Sequence, residues 1–150
     1  MDILQWAKDR HEFWWKHLLE NAKYPEKFDI TVPTLEFTYN KSGCAGTGSY
    51  DGSAYNANYL IEFKEDFDST IAHEVCHVFV ARLRVFSHYI ERMKGGHCPL
   101  FFYIFNVVCG VQHYKYHSYG APKLTEEAKI LRKYKKLQVL INKSAINEDC

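Results

Sequence analysis

The chain has 150 residues, 47% of them hydrophobic and 25% charged, with a formal net charge of +1. These are globular values at a length suited to one domain; they argue against a chain disordered throughout, and near-neutrality gives no global sign of a nucleic-acid or membrane partner. No run approaches the roughly 18 uninterrupted apolar residues of a membrane span. The five cysteines, Cys44, Cys76, Cys98, Cys109 and Cys150, form no CxxC pair, which argues against a disulfide framework or a zinc ribbon and for reduced thiols. Residues 1–10 are charged early and lack a signal peptide's apolar core, so a cytoplasmic protein is expected.

Residues 2–22 read as an amphipathic helix capped by Asp2, with Ile3, Trp6, Ala7, Phe13, Trp14 and Leu18 near helical spacing. Pro25 ends it. In residues 34–39, Leu35, Phe37 and Tyr39 alternate with polar side chains and predict a half-buried strand. Gly43, Gly46, Gly48 and Gly52 punctuate residues 41–53, predicting a turn-rich hairpin or bulged strand. No Lys-Ser/Thr ending follows, so a phosphate loop is excluded. Residues 59–63, Tyr-Leu-Ile-Glu-Phe, predict another strand, lying at the edge of a cleft where an extended peptide could add to it.

The centre of the chain is His73-Glu74-Val75-Cys76-His77, an HExxH pattern. On a helix, residues four apart share a face, so His73 and His77 can reach one tetrahedral Zn²⁺, with Glu74 beside it to take a proton from water. Ser69 and Thr70 are expected to cap this helix, with Asp66 and Asp68 adding favourable charge. Ile71, Val75, Val78, Phe79 and Leu83 supply its apolar stripe. The plain alternative is a core helix with polar interruptions, at a cost on the order of a few kcal/mol in unmet polar groups. Cys76 reads as a small core residue.

Beyond it, Pro99 suits the first turn of an apolar helix through Leu100, Phe101, Ile104, Phe105, Val107 and Val108, stopping at Gly110. A Tyr/His-rich connector spans residues 111–122. A last helix over about residues 124–142 carries Lys129, Arg132, Lys133, Lys135 and Lys136 without an intervening acid. That face suits either solvent or DNA phosphates.

A catalytic zinc takes three protein ligands and leaves one position open. Val80 and Leu83 exclude the metzincin spacing. Glu91, His88 and His97 remain as third-ligand candidates, and His97, after Gly95-Gly96 and just before Pro99, is in a context that can present it rigidly towards the first helix. The run Gly96-His97-Cys98-Pro99-Leu100-Phe101 resembles the Gly-His-Gly-Pro-x-Phe segment of SprT-like (Spartan-type) zinc metalloproteases. The resemblance runs back over an N-terminal helix, a strand, small residues around Ala45-Gly46 and a threonine-bearing entry to HExxH, covering about residues 2–112. Cys98 replaces the usual glycine, the interval from His77 to His97 is long, and no C-terminal zinc ribbon follows.

The resemblance implies one Zn²⁺ on His73, His77 and His97, with Glu74 as catalytic base. It implies an α+β, zincin-like domain in which a sheet of about three strands packs against the HExxH helix. It also implies a protein substrate, with DNA-bound or DNA-crosslinked proteins as targets, and hence a nucleoid or nuclear setting. Tyr103, His113, Tyr114 and His117 are candidates for stabilising an oxyanion, and Cys98 is a candidate fourth ligand. Two other functions stay open: a zinc-stabilised module that sequesters a protein or nucleic-acid partner, and a metal-free α+β protein.

Overall fold

The computed structural model describes residues 2–22, 24–39, 44–86, 100–101 and 104–110. Helix α1 (Ile3–Asn21) starts where Asp2 accepts a hydrogen bond from the Leu4 amide. It buries Ala7, His11, Trp14, Trp15 and Leu18; of the stripe expected from the sequence, Ala7, Trp14 and Leu18 are buried while Phe13 is 46% exposed, and His11 and Trp15 complete the inward face instead. Strand β1 (Thr34–Thr38) follows. Tyr39 lies beyond its end and is 63% exposed.

Strands β2 (Gly46–Gly48) and β3 (Gly52–Asn56) form the glycine-rich hairpin, joined through Ser49–Asp51, with the Ser49 amide donating to the Gly52 carbonyl. The sheet order is β1-β3-β2, β1 running parallel and β2 antiparallel to β3. β3 is the central strand although Gly-Ser-Ala-Tyr-Asn has no β-branched residue. Position, not propensity, makes it a strand.

Residues 59–63 are not a strand. They belong to helix α2 (Ala57–Glu62) and its C-cap, Phe63. The Asn56 side chain accepts from the Asn58 amide and so caps the helix. The residues buried there are Ala57 and Leu60, three apart, while Ile61 and Phe63 of the apparent alternation are 62% and 48% exposed. The sheet edge beside the HExxH helix is therefore β2.

Helix α3 (Lys64–Leu83) carries HExxH. It begins earlier than its sequence signals predict: Ser69 and Thr70 lie inside it, and the Ser69 hydroxyl donates back to the Asp66 carbonyl. Glu65 and Asp66 occupy its first turn, where acidic charge favours the helix dipole. From Thr70 to Leu83 only His77 and Ala81 escape full burial. α3 is thus a central helix, packed against α1, the β2–β3 hairpin, α2 and the later apolar segment.

That segment is helical at Leu100–Phe101 and makes a π-helical turn at Ile104–Val108, marked by the Cys109 amide donating five residues back to Ile104. Gly110, at φ +68°, ends it in the left-handed conformation that glycine tolerates. Among the described residues no helix is long and apolar enough to cross a membrane.

An aromatic cluster fills one side of the core, where Phe79 of α3 meets Trp15 of α1 at 6.0 Å and Phe28 at 5.0 Å. Two buried polar side chains tie loops to this core. His11 bridges the Tyr55 hydroxyl and the Pro33 carbonyl, each at 2.8 Å. Arg82, 3% exposed, donates to the carbonyls of Asp29, Thr31 and Tyr50, and its guanidinium lies 4.9 Å from the Trp15 ring.

Candidate metal centre

The helical period brings His73 and His77 together on α3, with their Nε2 atoms 3.1 Å apart. Two nitrogens bound to one tetrahedral zinc at about 2.0–2.1 Å each lie about 3.3 Å apart, so the imidazoles already stand at ligand spacing. A carboxylate oxygen of Glu74 and one ring nitrogen of each histidine lie within 4.8 Å of one another, making a group able to hold a metal ion. The chemistry of the set, two imidazoles and one carboxylate, suits a divalent cation of the zinc type.

Glu74 is 6% exposed, and its helix neighbours Ile71, Ala72, Val75 and Val78 are buried apolar side chains. Burial pushes its carboxyl up to about 8, and a cation placed beside such a group draws it back down.

Aromatic rings hold the imidazoles in place. Phe101 stacks on His77 with centroids 4.2 Å apart and planes at 17°, and meets His73 edge-on at 4.8 Å. Phe105 meets His73 edge-on at 5.2 Å. Both phenylalanines are fully buried, so the rings that cover one side of the site also restrict its rotamers.

The other side is closed by β2. A Cβ at Gly46 would lie 2.9 Å from Glu74 Cγ and 3.0 Å from its Oε2. At Gly48 it would run into the Glu74 carbonyl oxygen and come within 2.8 Å of His77 Cβ. Two glycines two residues apart let the strand lie directly on the HExxH turn.

The hydrogen-bond phase of the hairpin sets what this strand offers outward. Asn56 pairs with Ala45 and Ser49 with Gly52, so with the observed register the narrow pairs are 45/56, 47/54 and 49/52. Gly46 and Gly48 therefore turn their N–H and C=O groups away from β3. Among the described residues no strand lies beyond β2.

No protein-family model, curated protein or solved structure matches the chain. The site is therefore read from its own geometry.

Of the residues singled out in the sequence, the structure brings together His73, Glu74 and His77. Phe101, the last residue of the quoted motif, sits on the site. His88, Glu91, His97, Cys98, Tyr103, His113, Tyr114 and His117 lie outside the described residues, as do Lys129, Arg132, Lys133, Lys135 and Lys136. Cys76 packs in the core, with its Sγ 3.5 Å from that of Cys109, both buried. Burial pushes the Cys76 thiol well up from its ordinary value, leaving it a protonated core group. The roles of Gly46, Gly48 and Phe105 were missed in the sequence. Alternate glycines around Gly46 were the available signal, and nothing local linked them to Glu74.

Proposed function

We propose that this chain is a zinc-dependent peptide hydrolase, zincin-like in architecture and of the SprT-like class. His73 and His77 are two ligands and His97 is the third. The observation that carries this proposal is the 3.1 Å approach of the two Nε2 atoms with a buried carboxyl one residue from the first. An ion held there would supply a Lewis acid for the substrate carbonyl and acidify a water. Glu74 takes the water's proton and returns it to the departing amine nitrogen. The outward edge of β2, beyond which no strand lies among the described residues, supplies what a peptide substrate needs, a row of backbone donors and acceptors at Gly46 and Gly48, against Glu74 and His77. A DNA-directed role draws on the basic run of the sequence from Lys129 to Lys136, and its check is DNA affinity that falls as salt rises.

The decisive experiment combines zinc stoichiometry with hydrolysis of an unfolded protein by wild type, Glu74→Gln and His97→Ala. One zinc per wild-type chain is expected. Glu74→Gln should keep its zinc and lose about 10²–10⁴-fold in rate, the range of general-base catalysis. His97→Ala should lose zinc. A zinc-free wild type after metal-replete purification, or a Glu74→Gln protein as active as wild type, would overturn the proposal.

A further inference from the structure

One turn before Glu74 along α3, the molecule has a second feature that the metal centre does not use. A cleft of about 180 Å³ opens between α2 and the first turns of α3, lined by Ala45, Tyr59, Phe63, Asp66, Phe67 and Thr70. It adjoins the metal centre at two points. Ala45 is the neighbour of Gly46, which lies against the Glu74 side chain, and Thr70 precedes His73 and Glu74 by a single helical turn. A strand advances about 3.3 Å per residue and a helical turn about 5.4 Å. A peptide laid along β2 over Glu74 thus reaches this cleft within one or two residues.

The lining has a definite chemistry. Phe67, 2% exposed, and Thr70, 6% exposed, make the floor. Tyr59 and Phe63 form a wall of two stacked rings, 6.2 Å apart at 26°, and Phe63 is nearly half exposed although large and aromatic. Among the described residues of the lining, the charged side chain is the exposed carboxylate of Asp66. Its backbone is fixed in the first turn of α3, its amide donating to the Phe63 carbonyl and its own carbonyl accepting from Ser69. An apolar floor, aromatic faces and one carboxylate match a side chain with a long aliphatic stem and a terminal cation. The stem covers the floor, and the cation meets ring faces and the carboxylate together.

We infer that this cleft is a specificity pocket for a lysine or arginine side chain of an extended peptide bound beside Glu74, resting on the hydrolase proposal for its substrate class. The test reads binding as well as turnover. Zinc-loaded Glu74→Gln protein is titrated with fluorescent extended peptides that differ at one position, carrying lysine, arginine, norleucine or glutamate. The lysine and arginine peptides should bind about five-fold tighter than the norleucine peptide, and tighter still relative to glutamate. Asp66→Asn, a near-isosteric change with its fold checked by circular dichroism, should bring lysine and norleucine to within about two-fold. Norleucine binding as well as lysine, a lysine preference that survives Asp66→Asn, or no binding of any peptide would each overturn the pocket. Wild type is then given the same peptides. Binding with the basic preference but no cleavage would remove the hydrolase proposal and leave the pocket. Cleavage without a basic preference would do the reverse.

Discussion

Gly48 sets how closely β2 can approach the HExxH turn. The obstacle to a side chain there is the Glu74 carbonyl and the His77 Cβ, which cannot move without moving α3. At Gly46 the nearest atoms belong to the Glu74 side chain, the flexible partner, with the Ala54 carbonyl oxygen next at 3.1 Å. Gly48→Ala is therefore expected to cost about 2 kcal/mol of stability, in the range of overpacked sites, and Gly46→Ala less than half of that. Zinc affinity should fall with Gly48→Ala because His77 is displaced with the turn. Urea denaturation and chelator competition measure the two effects, and equal losses from both variants would contradict this ranking. The contrast also explains what could be read in the sequence at this scale. His73, Glu74 and His77 were legible because four-residue spacing on a helix is a local property. The need for glycine at 46 and 48 comes from an element more than twenty residues away, and no local pattern encodes it.

At the level of elements, α1, β1 and the glycine hairpin follow the sequence, each carrying a cap, an alternation or a glycine signal, and the HExxH helix follows from its apolar spacing although it starts at Lys64, ahead of the expected caps Ser69 and Thr70. α2 does not, because Tyr-Leu-Ile-Glu-Phe, four apolar or aromatic residues and one glutamate, satisfies a strand pattern, while the decisive cap, Asn56, belongs to the preceding strand. The cap gives a direct check. Asn56→Ala should destabilise the fold by about 1 kcal/mol, and Asn56→Ser, which keeps a capping oxygen, should recover most of it. Loss of equal size in both variants, measured by urea midpoint, would remove the cap from the account of α2. The far end of α3 depends on Arg82 in a different way. Its guanidinium satisfies three loop carbonyls, those of Asp29, Thr31 and Tyr50, and it lies 3.6 Å from the Asp29 carboxylate. That carboxyl is itself held below its ordinary value, first by the Thr31 hydroxyl and amide. Arg82→Met keeps the stem but strands the carbonyls, at an expected cost of about 3 kcal/mol. Arg82→Lys, whose single nitrogen cannot stand both where Nε meets Tyr50 and where Nη1 meets Asp29 and Thr31, should recover little. A loss below about 1 kcal/mol would mean that water replaces the guanidinium and that the loop is not anchored through it.

Across the whole molecule, α1, the approach to β1 and the central strand β3 are joined through one buried imidazole. His11 is 2% exposed, and its two partners define its protonation. Pro33 offers only a carbonyl, so Nε2 carries the proton and donates. Burial pushes the Tyr55 phenol upward, keeping its hydroxyl protonated, so it donates to an unprotonated Nδ1. The pair of bonds therefore requires neutral histidine, and burial lowers the His11 pKa from 6.5 despite the opposing Pro33 hydrogen bond. The sign of the pH dependence follows. Below 6.5 the unfolded chain takes up a proton at this position that the folded chain resists, so stability rises with pH across that interval. The contribution is complete above 6.5 and is lost progressively as the pH falls from there towards the depressed folded value. His11→Gln, which does not titrate and can still reach the Pro33 carbonyl, isolates this effect from the other histidines. At pH 7 it should be less stable than wild type, since the Tyr55 hydroxyl loses its acceptor. Between pH 7 and pH 5 the gap should narrow, because wild type loses the His11 contribution and the variant has none to lose. Parallel urea-midpoint curves for the two proteins over that range would show that the imidazole joining α1 to the sheet is not held neutral by its burial.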